Sequence, residues 1–260
     1  MKKYISDWIV KENTLLNDHL CLLKLNLETH LPDIYPGQFV QVEVDNAKDV
    51  FLRRPISVHY VDKKNKELWL LVQIVGKGTQ KLSELKSGAV LNLVYPLGNT
   101  FTIPEASEKK KKLLLIGGGV GIAPLLYLGA VLKEKGFDPT FLLGARSAND
   151  LNQLDEFKQF GEVLITTEDG SLGEKGFVTN HSSLLSGNAD FIYTCGPKAM
   201  MVSVARYAKE HNISCEVSLE NHMACGIGAC LCCVEKTTKG NTCVCTEGPI
   251  FNINQLTWQI

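Results

Sequence analysis

The sequence predicts a multi-domain protein: an N-terminal antiparallel β-barrel, an α/β domain with a parallel sheet, and a small cysteine-rich C-terminal domain. Short strand-like segments separated by turns fill residues 1–104, and strands alternate with helices over residues 112–214. Six of the nine cysteines fall within residues 225–260, in the C-terminal domain predicted for residues 215–260. A chain of 260 residues is too long for one ordinary core and suits two modest domains with a smaller third.

Composition indicates a globular protein with neither a nucleic acid nor a membrane as partner. Hydrophobic residues make up 45% of the chain and charged residues 21%, and the net charge is only −1. Residues 113–132 carry no charge, but their glycines and Pro124 favour a strand, a turn and a helix over one membrane span. Nine cysteines without an apolar leader favour the reducing cytoplasm.

The predicted barrel depends on segments that alternate with period two. Residues 39–44 and, in part, 68–74 show this alternation, and residues 61–66 read as a hairpin turn. Residues 80–85 are expected to form a short helix. Several short strands with turns between them predict a small antiparallel barrel. The charged segment 105–112 that follows is expected to be a solvated linker rather than a binding patch.

The central part of the chain alternates between apolar runs and amphipathic segments. Buried strands are predicted at residues 113–116, 140–143, 163–166 and 191–194, and helices at residues 123–134, 154–160 and 198–211. This alternation predicts a parallel sheet covered on both faces.

A glycine-rich turn joins the first of these strands to the first helix. Its glycines are Gly117, Gly118, Gly119 and Gly121. Glycine lets the backbone approach a pyrophosphate, and the start of a helix offers aligned N–H donors and a positive dipole end. The spacing is not G-x-G-x-x-G, so a tight turn without any ligand stays open as an alternative.

Four cysteines near the C-terminus follow the spacing of a plant-type [2Fe–2S] site, C-x4-C-x2-C and a distant fourth. They are Cys225, Cys230, Cys233 and Cys245. The small residues 226–229 should let the backbone wrap closely and direct amide N–H groups at the sulfurs, and glycine allows positive φ angles there. Cys243 rivals Cys245 as the fourth ligand, and the turn at residues 248–249 favours Cys245.

Disulfide bonds and a zinc site are the two alternative uses of these cysteines. Disulfides require an oxidising compartment, for which the sequence shows no signal. Zinc prefers two C-x2-C knuckles, which this run does not provide. Cys232 adjoins a proposed ligand, so its side chain should point away.

The order of motifs along the chain resembles the ferredoxin–NADP reductase superfamily. The landmarks are R-P-x-S at 54–57, G-x-G-T at 76–79, P-L-G-N-x-F at 96–101, G-G-G-x-G-x-x-P at 117–124 and C-G-P at 195–197. The segments T-E-D-G-S-x-G at 167–173, C-G-P-K-A-M at 195–200 and S-L-E at 218–220, followed by the cysteine run, narrow this further. With them, nearly the whole chain resembles the electron-transfer subunits of type B dihydroorotate dehydrogenases.

The resemblance implies sites for FAD and NAD. FAD would be held by Arg54, Pro55, Ile56 and Ser57, by Leu71, Val72 and Gln73 on an adjoining strand, and by Gly78 and Thr79 at its pyrophosphate. Independently, an arginine and a hydroxyl three residues apart can clamp a phosphate. The α/β domain would bind NAD, with Cys195 beside the nicotinamide; a small buried residue is the alternative for Cys195. Arg146, at the end of the second strand, keeps NADP open because an arginine can accommodate a 2′-phosphate.

In function, the resemblance implies an electron adaptor without a dihydroorotate site of its own. Dihydroorotate would be oxidised at the FMN of a separate catalytic subunit, and electrons would pass through the [2Fe–2S] cluster and FAD to NAD, in pyrimidine biosynthesis. The expected assembly is a cytoplasmic heterotetramer with two copies of each subunit. The alternatives are the small subunit of an NADPH-dependent ferredoxin oxidoreductase, which tends to carry aspartate where Cys225 stands, and a non-enzymatic cluster-based redox sensor.

Overall fold

The computed structural model describes residues 2–29, 31–45, 49–108, 110–185 and 187–260. The chain forms two compact units. The barrel unit comprises Met1–Thr100, Asn221–Glu235 and Asn241–Pro249, and the sheet unit comprises Phe101–Glu220, Lys236–Gly240 and Ile250–Ile260. The cysteine-rich segment thus contributes to both units, and the domain limits given above stay a prediction. Within the expected linker, Lys109 lies outside the described residues.

Six antiparallel strands and one helix build the barrel unit. They are β1 (Tyr4–Asn17), β2 (Leu20–Asn26), β3 (Phe39–Val42), β4 (Arg54–Asp62), β5 (Glu67–Gln73), α1 (Lys77–Ser83) and β6 (Val90–Leu97). The strand order β1-β2-β5-β4-β3-β6 closes through pairing of β1 with β6. Side chains such as Trp8, Leu23 and Leu70 fill the interior. The predicted antiparallel barrel is therefore confirmed.

The predicted hairpin turn at residues 61–66 is confirmed, but the start predicted for the short helix is wrong. Between β4 and β5, the carboxylate of Asp62 accepts the backbone N–H of Asn65 at 3.0 Å, which stabilises the turn. Helix α1 begins at Lys77, three residues before the expected start. The hydroxyl of Thr79 accepts the N–H of Val75 at 2.9 Å and so fixes the chain where the helix begins. Gly78 and Thr79 are accordingly part of helix α1.

The sheet unit alternates strands with helices as predicted. Its elements up to residue 218 are β7 (Leu113–Gly118), α2 (Ala123–Glu134), β8 (Thr140–Ala145), α3 (Leu154–Lys158), β9 (Glu162–Thr167), β10 (Glu174–Lys175), α4 (Ser182–Leu185), β11 (Phe191–Cys195), α5 (Lys198–Glu210) and β12 (Ser214–Ser218). These strands are parallel, and β7, β8 and β11 are almost completely buried, as a sheet covered on both faces requires. The uncharged stretch 113–132 divides into β7, a short turn and α2. In the described residues, no helix is long and apolar enough to cross a membrane.

The C-terminal segment adds short elements after β12. They are β13 (Val234–Thr237), β14 (Gly240–Cys243), α6 (Val244–Glu247) and β15 (Ile250–Asn252). Strand β15 joins the sheet antiparallel to β12 and gives the order β10-β9-β8-β7-β11-β12-β15. Sequence reasoning did not predict this returning edge strand, because three residues are too few to show periodicity.

Candidate cofactor-binding sites

The loop after the first cysteine of the predicted cluster site wraps around that thiol. The backbone N–H groups of Ile227 and Cys230 both donate to Cys225 Sγ, each at 3.4 Å. Gly226 and Gly228 have φ angles of 69° and 83°, a region that residues with a Cβ rarely adopt. The expectation that glycines here permit a tight wrap with amides directed at sulfur is confirmed.

The remaining two cysteines of the predicted set form a second pair. The N–H of Cys245 donates to Cys233 Sγ at 3.4 Å, and both residues are buried. The N–H of Gly228 donates to Cys245 Sγ at 3.2 Å, so the loop around the first pair reaches the second as well. Because the N–H of Cys230 donates to Cys225 Sγ just as that of Cys245 donates to Cys233 Sγ, the four cysteines fall into two pairs. A [2Fe–2S] cluster needs two thiolates on each iron, so the residues present fit that group.

A site for a single metal ion needs three or more protein ligands that converge on one point. Among the residues that the structure describes, no group of three or more His, Cys, Asp or Glu side chains is arranged to hold a metal ion. Cys232 is exposed, in line with a side chain that points away from the ligands. Cys243 is partly exposed, and no described N–H is found to donate to its sulfur, whereas Cys245 receives one. Cys245 therefore remains the proposed fourth ligand.

Electrostatics differ between the two pairs. Burial acts to raise the pKa of the Cys225 thiol, but the N–H donors of Ile227 and Cys230 outweigh it and hold that pKa at about 6. Burial, and then the neighbouring Cys233, raise the pKa of Cys245 to about 12. A bound metal ion deprotonates its coordinating thiols, so iron would offset this unfavourable charge at Cys245.

The segment that carries the cysteines is fixed to the barrel just after Cys245. Gly98, in the turn after β6, lies so close to Pro249 that a Cβ on Gly98 would stand 2.5 Å from the proline Cδ. Asn99 donates its backbone N–H to Gly248 O at 2.6 Å and its side-chain amide to Glu247 O at 2.9 Å. The cysteine loop and the barrel thus form one packed body within the barrel unit.

Two motifs predicted to hold FAD meet in the barrel unit. Residues 54–57 open β4 and are partly exposed, and the ladder with β5 starts only after them, at Val58. Gly78 lies against the Arg54 guanidinium: a Cβ on Gly78 would stand 2.6 Å from Arg54 Nε. The preceding Arg53 is held by Glu43 and Asn92, so it has a structural role. Arg54 is the arginine of this pair that is positioned to meet an anionic ligand.

The other predicted FAD residues differ in accessibility. The side chains of Leu71 and Val72 belong to the barrel core, so any contact they make with a flavin is through backbone atoms. Gln73 is exposed at the end of β5. Thr79 is buried, with its hydroxyl bound to the backbone of Val75 and Gly76.

In the sheet unit, the glycine turn and the start of α5 lie side by side. A Cβ on Gly121 would stand 2.4 Å from Gly196 Cα, and one on Gly118 would stand 2.4 Å from Met200 Sδ. Gly119 has a φ of 56° and open space around its Cβ position. Gly117 packs against Ile122. Most of these glycines are therefore required by close packing, and Gly119 leaves room beside the turn for a ligand.

Cys195 is fully buried at the carboxyl end of β11 and hydrogen-bonds to Glu220. Its Sγ lies 3.6 Å from Glu220 Oε1. Burial, reinforced by the Glu220 charge, raises the pKa of Cys195 well above its usual value, so the thiol stays neutral. Burial of the carboxylate likewise raises the pKa of Glu220, and the hydrogen bond from Cys195 opposes part of that rise. Sequence reasoning noted Glu220 only as part of a motif, since 25 residues separate it from Cys195.

Arg146 is exposed and follows β8, at the carboxyl edge of the sheet. Nucleotides bind at this edge in open α/β sheets. Its position leaves it available to a nucleotide ribose.

A barrel followed by a parallel α/β sheet is the fold of flavin-dependent ferredoxin reductases. The ferredoxin reductase of carbazole 1,9a-dioxygenase has this fold, with a TM-score of 0.69 and 21% identity over 82% of this chain and 67% of that one. The structure of the NADH-dependent reduced ferredoxin-NADP oxidoreductase is more similar: its TM-score is 0.86, with 30% identity over 96% of this chain and 90% of that one.

Family models and curated relatives narrow this class. Residues 7–101 match an oxidoreductase FAD-binding domain, residues 115–206 an oxidoreductase NAD-binding domain, and residues 220–257 the iron-sulfur cluster binding domain of dihydroorotate dehydrogenase B. The dihydroorotate dehydrogenase B (NAD(+)) electron transfer subunit of Shouchella clausii is 37% identical over 95% of this chain and 96% of its own length. That of Caldanaerobacter subterraneus is 38% identical over 94% and 96%. The chain belongs to the family of dihydroorotate dehydrogenase B electron transfer subunits.

Proposed function

We propose that this chain carries electrons from the FMN of a dihydroorotate dehydrogenase catalytic subunit to NAD, in the pyrimidine pathway. The observation that carries the proposal is the presence, in one barrel unit, of two N–H-bonded thiol pairs and an arginine-bearing flavin motif. When bound, the cluster would supply one-electron transfer and the FAD would supply the exchange between single electrons and a hydride.

The residues of the chain would position these groups and tune their charge. Cys225, Cys230, Cys233 and Cys245 would hold the irons, and the N–H donors of the loop would stabilise the negative charge on sulfur. Arg54 would bind the flavin phosphate through its charge, as a guanidinium does. In the sheet unit, the neutral Cys195 thiol and Glu220 would lie beside the nicotinamide.

The loop of residues 225–233, called the cluster loop below, offers a surface for the catalytic subunit. Ile227 and Leu231, within this loop, are 49% and 64% exposed. Exposed apolar side chains are typical of protein interfaces, and here they lie beside the residues that would hold the cluster. We propose a heterotetramer with two copies of each subunit, in the cytoplasm, where the nine cysteines would remain reduced as the structure has them.

The small subunit of an NADPH-dependent ferredoxin oxidoreductase is the second candidate. The similarity to the NADH-dependent reduced ferredoxin-NADP oxidoreductase is the observation in its favour. Against it stand the names of the curated relatives and the cysteine at position 225, whose thiol is already bound by two N–H groups.

Co-expression with the catalytic subunit tests the proposal. The purified complex should reduce NAD with dihydroorotate as the electron donor, and native mass spectrometry should give two copies of each chain. The catalytic subunit alone should oxidise dihydroorotate with an artificial acceptor but should not reduce NAD. A complex that forms but reduces only NADP, or that requires ferredoxin, would favour the second candidate.

A further inference from the structure

The side chain of Gln41 is buried without a hydrogen-bond partner. Gln41 lies on β3, is 0% exposed, and neither Nε2 nor Oε1 has a partner among the described residues. Burying an amide without a partner is costly, so nearly all such groups in native proteins are satisfied by protein, water or a ligand. The amide of Gln41 is therefore expected to bind a group that is not part of the polypeptide.

The environment of Gln41 indicates which group this is. A Cβ built on Gly226 would stand 2.7 Å from Gln41 Cγ and 2.8 Å from its Nε2, so the amide lies directly against the residue that follows Cys225. In the antiparallel pairing of β3 with β4, Gln41 lies opposite Pro55 of the R-P-x-S motif. The residue thus stands between the cluster loop and the strand that carries the flavin motif, all within the barrel unit.

We propose that the Gln41 side-chain amide donates a hydrogen bond to a sulfur of the bound [2Fe–2S] cluster and raises its reduction potential. The backbone donors found at Cys225 and Cys245 already stabilise negative charge on sulfur. Hydrogen bonds to cluster sulfurs favour the reduced form, which carries one more negative charge. Gln41 would be the side-chain member of this set of donors. It is a positioning residue and exchanges no electrons itself.

Substitution of Gln41 by methionine removes the donor and keeps the length of the side chain. Gln41→Met should retain wild-type amounts of iron, sulfide and FAD, while the midpoint potential of its cluster should fall and that of FAD should not change. The matched control is Gln38→Met, which removes another buried amide, one already bonded to the Tyr35 N–H and Gly98 O. The control should lose stability and keep the wild-type cluster potential. An unchanged potential in Gln41→Met overturns the proposal, and so does a shift confined to FAD.

A second measurement uses the wild-type protein and does not depend on how the variant folds. Protein labelled with ¹⁵N in the glutamine side-chain amides should show a ¹⁵N coupling to the reduced cluster in pulsed electron paramagnetic resonance. Absence of that coupling in cluster-loaded protein contradicts the proposal. The inference rests on the proposed cluster site, and iron analysis separates the two: protein without iron refutes the site itself, whereas iron-loaded protein without the coupling refutes only the role of Gln41.

Discussion

Gly98 and Pro249 are in direct contact and connect the barrel to the segment that carries the cysteines. The φ of Gly98 is +78°, and a Cβ on it would stand 2.5 Å from Pro249 Cδ and 2.9 Å from Gly248 O. Only glycine fits this combination of backbone angle and close approach. This contact would therefore help to set the distance between a flavin bound to the barrel and a cluster held by the four cysteines.

Replacing Gly98 by alanine should loosen the cluster segment. Gly88→Ala is the matched control, since Gly88 also has a positive φ, +87°, but has nothing within 4 Å of its Cβ position. The control should cost about 1–2 kcal/mol of unfolding free energy for the backbone angle alone. Gly98→Ala should cost ~1–3 kcal/mol more from the overlap, with reduced cluster content. Denaturant titration and iron analysis measure both, and equal losses in the two variants would contradict the contact.

Serine at Cys230 should abolish the visible absorbance of the cluster while FAD remains bound, because a hydroxyl is a poor substitute for a thiolate ligand. Cys243→Ser is the control and should retain wild-type absorbance, since the thiol of Cys245 rather than that of Cys243 accepts an N–H bond. If Cys243→Ser loses the cluster and Cys245→Ser keeps it, the fourth ligand has been assigned wrongly. Retained absorbance in Cys230→Ser would remove that residue from the ligand set.

Glutamine at Arg54 should weaken FAD binding by about 10- to 100-fold, since a charge-assisted hydrogen bond contributes ~1.5–3 kcal/mol. Arg53→Gln is the matched control: it removes the contacts with Glu43 and Asn92, so it should lower stability and leave FAD affinity nearly unchanged. Flavin fluorescence during titration of the flavin-free protein gives both affinities. The reverse ranking of the two variants would place the flavin phosphate beside Arg53.

Loss of the hydrogen-bonded pair of Cys195 and Glu220 should slow hydride transfer from NADH to FAD. Cys195→Ser and Glu220→Gln should each lower the rate of flavin reduction by NADH at saturating NADH, with wild-type FAD and iron content. Cys215→Ser tests a buried cysteine on the neighbouring strand β12 and should keep the wild-type rate. Stopped-flow absorbance measures the rate. A wild-type rate in Cys195→Ser would show that Cys195 has only a packing role.

The same pair predicts the sign of a pH effect on stability. Burial raises the pKa of Glu220 in the folded state, so the folded protein binds this proton more tightly than the unfolded chain. The resulting stability is present below the unfolded pKa of glutamate and is lost as pH rises through the higher folded pKa. Relative to Glu220→Gln, the wild type should therefore lose stability across that window. Chemical denaturation at several pH values measures the unfolding free energy of both proteins. If the wild type instead gains stability relative to Glu220→Gln as pH rises, the prediction has the wrong sign.

Much of the architecture was predictable because it depends on local patterns. Helix α2 has the predicted limits, Ala123 and Glu134, because a glycine turn precedes it and Pro124 stands in its first turn. The small residues 226–229 predicted amides directed at sulfur, because glycine lets the backbone wrap closely around the thiols. The start of α1 was missed because the Thr79 hydroxyl bonds backward to Val75, a contact that periodicity does not show.

Relationships between distant segments were not predictable from the sequence. Gln41 appeared only as one residue of an alternating strand, and its burial against Gly226 depends on a pairing of segments 185 positions apart in the chain. The division of the cysteine-rich region between two units likewise depends on the short strand β15. Such contacts are set by tertiary packing, which local propensity does not encode.

Anaerobic titration of the isolated chain with NADH tests the central claim most directly. Reconstituted protein should contain FAD, two irons and two acid-labile sulfides per chain, as a [2Fe–2S] cluster requires. NADH should then reduce both the flavin and the cluster, seen as bleaching of flavin absorbance together with the appearance of the paramagnetic signal of the reduced cluster. If NADH reduces FAD and the cluster stays oxidised although its measured midpoint potential lies above that of the NADH couple, the chain does not connect the two groups and the account is wrong.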